Sequence, residues 1–177
     1  MLPRLTLVLG GANSGKSDFA ETLVKNSRLS RIYIATAQAF DAEMQAKIDA
    51  HRAARGAGWT TVEAPLDLVD ALENCAKGAA VLVDCATLWL SNHLLADHDL
   101  AGQGASLLAA LARAPGPIVV VSNEVGMGIV PDNALARRFR TAQGRLNRDL
   151  AARAGLVVAV MAGLPLVLKG TLPGARV

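Results

Sequence analysis

Aromatic residues make up only 3% of this 177-residue chain: three Phe, two Trp and one Tyr. Proteins that hold single-stranded nucleic acid interleave stacking aromatics with basic groups. The scarcity therefore argues against a nucleic-acid partner, despite a net charge of +3 and a pI near 9.2, and the positive balance is read as serving phosphorylated small molecules. Cysteine is equally sparse. Cys75 and Cys85 form no Cys-x-x-Cys pair and have no histidine at zinc-ligand spacing, which excludes a disulfide framework or zinc site and leaves two reduced structural thiols. Long hydrophobic runs are missing too. The longest nearly apolar stretch, residues 156–168, is interrupted by Gly163 and Pro165 and falls short of the roughly 20 residues a membrane span requires, so no stable membrane insertion is expected. The apolar run from Leu5 to Leu9 is too short for a secretory segment and leads straight into glycines, which predicts a cytoplasmic chain.

What the chain does have is aliphatic material: 52% hydrophobic against 19% charged residues, rich in Ala, Val and Leu. That suits one globular domain of ordinary size. Near-continuous apolar runs at Leu5 to Leu9, Arg31 to Ala35, Ala80 to Asp84, Ile118 to Ser122 and Leu156 to Met161 read as strands buried on both faces; residues 59–62 read as a shorter extended piece. Helical spacing marks residues 16–25 through Phe19, Ala20, Leu23 and Val24, and residues 41–55 through Met44 and Ile48. It also marks residues 66–77 through Leu68, Val69 and Leu72, and residues 134–154 through Leu135, Phe139, Ala142, Leu146 and Leu150. Residues 97–104 are polar enough for a surface loop, and Pro165 keeps Leu166 out of the last strand. Strands alternating with helices predict an α/β fold with a mostly parallel sheet flanked by helices.

The strongest motif is G-x-x-x-x-G-K-S at Gly10, Gly15, Lys16 and Ser17. Its glycines let backbone N–H groups curl around phosphate oxygens, the helix start favours negative charge, Lys16 reaches the outer phosphates and Ser17 can ligate Mg²⁺. The bland alternative is a Gly-rich turn. Asp84 ends a buried strand, where a carboxylate contacts Mg²⁺ through water or merely caps a helix. His51 shares the stripe of Ile48, beside Arg52 and Arg55, which suits nucleophilic attack on a phosphorylated electrophile; a lone helical His is otherwise packed or solvated. His93 and His98 look ordinary. The segment 122–131 places two glycines and Glu124 at the carboxyl end of a strand, where open α/β sheets bind ligands, or else forms a tight loop. Arg137, Arg138, Arg140, Arg145 and Arg148 read mainly as a solvated helix face.

Taken together, these segments resemble the bifunctional adenosylcobinamide kinase / adenosylcobinamide-phosphate guanylyltransferase family of cobalamin synthesis. The likeness runs through Leu9-Gly-Gly-Ala-Asn-Ser-Gly-Lys-Ser17, Tyr33-Ile-Ala-Thr-Ala-Gln38, Glu43-Met44 to His51-Arg52, and Val83-Asp-Cys85 with Thr87-Leu-Trp-Leu-Ser-Asn92. It continues through Asn123-Glu-Val-Gly-Met-Gly-Ile-Val-Pro131, the most family-specific stretch, to Ala162-Gly-Leu-Pro165. The resemblance implies a RecA-like P-loop NTPase domain spanning residues 1–177 and a homotrimer. It also implies two reactions: phosphorylation of adenosylcobinamide by ATP or GTP, then transfer of GMP from GTP to adenosylcobinamide phosphate through a GMP-histidine intermediate.

Carried over by position, His51 is the nucleophile and Lys16 its catalytic partner, with Gly10, Gly11, Ala12, Asn13, Ser14, Gly15, Lys16 and Ser17 forming the phosphate loop. Thr36, Ala37, Gln38, Arg52, Ala53, Ala54, Arg55, Glu63 and Asp84 make the remaining nucleotide contacts, and Ser17 and Asp84 hold Mg²⁺. Two positions depart from the family pattern. Ala50 precedes His51 where some members carry a second histidine, and Asn13 stands where many carry Arg. The competing expectations are a kinase of another small molecule and a RecA-like nucleotide-driven switch binding a macromolecule.

Overall fold

The computed structural model describes residues 1–39 and 42–174. Among them are seven strands and six helices: β1 (Leu5–Gly10), α1 (Lys16–Asn26), β2 (Arg31–Ala35), α2 (Ala42–Arg55), β3 (Trp59–Glu63), α3 (Leu68–Glu73), β4 (Ala80–Asp84), α4 (Ala86–Leu95), α5 (Leu100–Arg113), β5 (Ile118–Asn123), α6 (Ala134–Arg153), β6 (Leu156–Met161) and β7 (Leu164–Lys169). The strands form one sheet in the order β3-β2-β4-β5-β1-β6-β7. Pairing is parallel throughout β1 to β6, and only β7 runs antiparallel, against β6.

The continuous aliphatic runs are explained by burial on both sheet faces. On one face Leu7, Ile34, Val81, Val83 and Val120 pack with Leu68, Leu72, Trp89, Leu107, Leu146 and Leu150 from α3, α4, α5 and α6. On the other, Val8, Tyr33, Leu82, Val121 and Val158 pack with Ala20, Leu23 and Val24 of α1. Period-two alternation sends neighbouring strand residues to opposite cores, and each fully buried Leu or Val side chain stabilises the fold by about 1.5–3 kcal/mol.

The elements differ from the sequence expectations in four places. The helix expected over residues 66–77 is only the six-residue α3. α4 carried no helical stripe because its buried side chains, Ala86, Trp89, Leu90, Asn92 and His93 among them, are spread around the helix and mix polar with apolar groups, which leaves little amphipathic periodicity. The loop expected over residues 97–104 gives way at Leu100 to α5, whose first turn is fixed by Asp99 Oδ1 and Oδ2 accepting from Ala101 N and Gly102 N, each at 3.1 Å. Leu166 does leave β6, as Pro165 predicted, but the chain folds back to add β7 as an edge strand, where a proline is tolerated. Asp41, the first residue of the expected second helix, lies outside the described residues, as do the side chains of Glu43 and Met44.

Candidate functional site

The central strands end together, and the site is built on their carboxyl ends. β1 stops at Gly10 and the chain curls through residues 11–15 into α1. Gly15, at φ 88, caps that helix in the left-handed region, which only glycine enters freely. Gly10 is required for a different reason: a Cβ there would lie 2.3 Å from Ser14 Oγ and 2.7 Å from the Val160 carbonyl. Neighbouring strand ends hold the loop, since Gly163 N donates to Ser14 O at 2.9 Å and Glu124 N donates to Gly10 O at 3.1 Å. Lys16 folds back so that Nζ donates to Gly11 O at 3.1 Å. The α1 N-terminus and this ammonium thus face the same concavity, a site made for phosphate oxygens.

The second wall comes from β2 and β4. Tyr33 OH donates to Asp84 Oδ2 at 3.1 Å. Burial, reinforced by Asp84, raises the phenol well above its ordinary value, so Tyr33 stays a protonated donor. Behind Asp84 the backbone is clamped: Thr36 Oγ1 donates to Cys85 O and accepts from Cys85 N, each at 2.7 Å. Asn92 Nδ2 donates to Thr36 O and to Pro65 O, each at 2.9 Å. Burial and then Asp84 push the Cys85 thiol up to about 11, and its sulfur caps α4 by accepting from Leu88 N at 3.4 Å. This is the inert structural thiol expected.

The third wall is the end of α2 with β3. Arg52 Nη2 pairs with Glu63 Oε1 at 2.9 Å. Arg55 is only 7% exposed; its guanidinium lies 3.6 Å from the Tyr33 ring centroid and donates to Thr61 Oγ1 at 3.0 Å. Its orientation is fixed by stacking as well as by charge. His51 stands exposed one turn before Arg55.

These walls enclose one cleft of about 790 Å³, lined by Asn13, Ser14, Gly15, Lys16, Ser17, Ala37, Gln38, His51, Arg52, Arg55, Glu63 and Asp84 among others. The structure therefore brings most of the expected residues to one place. Thr36 is fully buried behind the wall and serves the Cys85 clamp. Gly10, Gly11, Ala12 and Ala53 are not among the lining residues, and the Ala54 side chain lies outside the described residues. Ser17 and Asp84 face the same cleft, and Ser14 Oγ is buried there without a partner. Among the described residues no cluster of three or more His, Cys, Asp or Glu forms a metal cage. A hydroxyl and a carboxylate beside a phosphate site are nonetheless a fitting donor set for Mg²⁺, which takes few protein ligands and completes its shell with water and phosphate.

Several lining residues are not among the expected contacts, Tyr33 and Asn123 among them. In the sequence Tyr33 stands in a strand run and opens the Tyr33 to Gln38 stretch of the family likeness, and neither gives its hydroxyl a role. Asn123 lay inside the segment 122–131 that was singled out, but had no role. It ends β5, register-paired with Gly10, so it sits beside the start of the phosphate loop. Its backbone is held on both sides: N donates to Thr87 Oγ1 at 2.7 Å, and O accepts from Asn147 Nδ2 at 3.0 Å. Behind it Ser122, Gln143 and Asn147 form a buried network, with Ser122 Oγ donating to Asn147 Oδ1 at 2.6 Å and Gln143 Nε2 donating to Ser122 Oγ at 2.8 Å. The Asn123 side chain lines the cleft with Oδ1 buried and unpartnered.

Glu124, by contrast, turns into its own loop, where Oε1 accepts from Gly126 N at 2.5 Å. The arginine series divides: Arg137 and Arg140 bond backbone carbonyls of the 126–132 loop, while Arg138 and Arg145 pair with surface carboxylates of Asp97 and Asp149. His93 and His98 lie apart from the cleft lining and bond each other, Nδ1 to Nδ1 at 2.8 Å.

A family model described as cobinamide kinase / cobinamide phosphate guanyltransferase matches residues 6–168. The chain is 49% identical over 167 residues to the bifunctional adenosylcobalamin biosynthesis protein CobP of Pseudomonas aeruginosa, covering 93% of this chain and 96% of that protein. It is 40% identical over 181 residues to the bifunctional adenosylcobalamin biosynthesis protein CobU of Escherichia coli, covering 93% and 99% respectively. Among solved structures, a protein from Pyrococcus horikoshii OT3 aligns with a TM-score of 0.56 at 10% identity, over 100% of this chain and 93% of that one. A prototypical ATPase from the type III secretion system of pathogenic bacteria aligns with a TM-score of 0.55 at 12% identity, over 94% and 57%. Both are likenesses of fold alone, and they agree with the mostly parallel α/β architecture.

Proposed function

The chain belongs to the cobinamide kinase / cobinamide phosphate guanyltransferase family, and from that membership we propose that it carries out both reactions in the single cleft between the phosphate loop and α2. The observation that carries this reading is the shared lining: Lys16 and Ser17 on one wall and His51, Arg52 and Arg55 on another. A nucleoside triphosphate held by residues 10–17 has its outer phosphates at the loop and its α-phosphorus further out, towards α2.

In the first reaction the cobinamide hydroxyl attacks the γ-phosphorus, the bond to the bridging oxygen breaks, and the nucleoside diphosphate leaves. Lys16, the α1 N-terminus and the loop N–H groups stabilise the charge on the phosphoryl oxygens. Mg²⁺ belongs to this reading as the ion that neutralises the phosphates, with Ser17 and Asp84 as the residues that would hold it. In the second reaction an imidazole nitrogen of His51 attacks the α-phosphorus of GTP and pyrophosphate leaves. The phosphate of the cobinamide then attacks the same phosphorus and the N–P bond breaks. Splitting one transfer between two anions into two steps through a neutral nucleophile lowers the repulsion each step must overcome. Arg52 and Arg55 supply the positive charge at that end of the cleft. The whole chain is read as one P-loop domain acting in the cytoplasm as a homotrimer, on small-molecule substrates and not on nucleic acid.

Incubation with α-labelled GTP and Mg²⁺ tests the reading. The wild-type protein is expected to acquire an acid-labile covalent label and His51→Ala to acquire none. An unlabelled wild type, or a label that survives in the variant, rejects the histidine intermediate.

A further inference from the structure

The segment leaving the cleft after Asn123 presents an apolar surface to water. Met127 is 90% exposed, Ile129 97%, Val130 65% and Leu135, in the first turn of α6, 51%. Four large aliphatic side chains within nine residues is more than scattered surface hydrophobicity. The segment is also braced from behind. Arg140 Nη2 donates to Gly126 O, and Arg137 Nη1 donates to Pro131 O at 3.0 Å and to Asp132 O at 2.6 Å. Guanidinium groups hold its carbonyls while its apolar side chains point outward.

Position gives this surface a use. Asn123 lines the nucleotide cleft, and Met127 follows four residues later, within about 14 Å of extended chain. A cleft of about 790 Å³ has the volume of a site for one drug-sized ligand, and the nucleotide takes that space. The second substrate of the proposed reactions is much larger. Only its hydroxyl arm needs to enter, so the macrocycle rests on what adjoins the mouth.

We propose that Met127, Ile129, Val130 and Leu135 form a lip that receives an apolar face of the corrin macrocycle, while the hydroxyl arm passes Asn123 towards the phosphate loop. The inference rests on the kinase and guanylyltransferase reading and assigns the substrate surface that reading leaves open. The ring carries methyl groups on its faces and amide arms at its perimeter, so aliphatic side chains meet the faces and leave the arms in water. Another exposed apolar group among the described residues, Leu164, Leu166 and Leu168, lies on edge strand β7, which offers a backbone edge to another polypeptide; the lip, made of a loop and the first turn of α6, offers no strand edge.

The test is steady-state phosphorylation of cobinamide by the full chain and by Met127→Ser/Ile129→Ser, with Leu166→Ser as the control. Both substituted side chains are exposed, so the double variant keeps its core. Its KM for cobinamide is expected to rise at least about tenfold, with kcat, GTP labelling and sedimentation unchanged, while Leu166→Ser keeps the wild-type KM. Wild-type turnover with an unshifted KM in the double variant overturns the lip alone. So does a changed sedimentation coefficient in that variant, which makes the surface a contact between copies. A wild type that phosphorylates no cobinamide overturns the functional reading itself.

Discussion

At the scale of single residues, the cleft is made of groups whose freedom has been removed. Arg55 is stacked on Tyr33 and tied to Thr61, Lys16 is folded onto the loop, and Asn123 is pinned by both of its backbone groups. Rigid donors stabilise developing charge without reorganising first. Asn123 combines that rigidity with a side-chain amide at the cleft wall whose Oδ1 has no protein partner, and its register beside Gly10 sets it at the start of the phosphate loop. Asn123→Ala is therefore expected to lower kcat for phosphoryl transfer by about tenfold to a hundredfold, with a much smaller effect on the KM for nucleotide. Unchanged kcat in the variant removes Asn123 from the chemistry.

At the scale of elements, α4 ties together the segments that flank the cleft behind Asp84. Asn92 of α4 joins Thr36 O to Pro65 O, and Trp89 Nε1 donates to Leu66 O at 3.1 Å. One helix thereby fixes the β2–α2 and β3–α3 turns that flank the cleft. Asn92→Ala leaves two carbonyls without this donor and is expected to cost about 1–3 kcal/mol. Thermal unfolding should show a midpoint lower by about 2–4 °C for each kcal/mol. Loss of stability with nucleotide affinity kept is the signature of a structural clamp. α4 and α5 are the two helices that the residue order left unmarked, α4 because its buried positions are spread around the helix and include polar side chains. The phosphate loop was the most legible, because its chemistry demands small residues and one cation at fixed spacing.

At the scale of the whole molecule, stability should depend on pH through His93, a buried histidine outside the cleft lining. His93 is 3% exposed; its Nε2 bonds Leu66 O at 3.2 Å, and its Nδ1 bonds His98. Burial lowers its pKa, with Leu66 O and Asp67 opposing and His98 adding to the fall. A folded value below the unfolded value of about 6.5 means that the unfolded chain binds more protons in the interval between them. The stabilisation is complete above about pH 6.5 and is lost as pH falls through the folded value. Unfolding midpoints measured from pH 7.5 to 5.5 should fall in the wild type and fall less steeply in His93→Phe; parallel slopes would remove His93 as the cause.

The sequence by itself determined the parallel α/β layering, the phosphate loop and the family, because aliphatic runs, helical spacing and a glycine-lysine-serine pattern are local and leave a direct trace in residue order. Tertiary structure decided which distant residues share the cleft. His51 at the end of α2, Asp84 at the end of β4 and Asn123 at the end of β5 are separated by tens of residues. They come together because parallel pairing aligns the carboxyl ends of neighbouring strands. It also decided that Thr36 serves the clamp behind the wall, and that the segment after Asn123 turns its apolar side chains outward. Side-chain direction follows from what packs against each element, and spacing along the chain does not encode it.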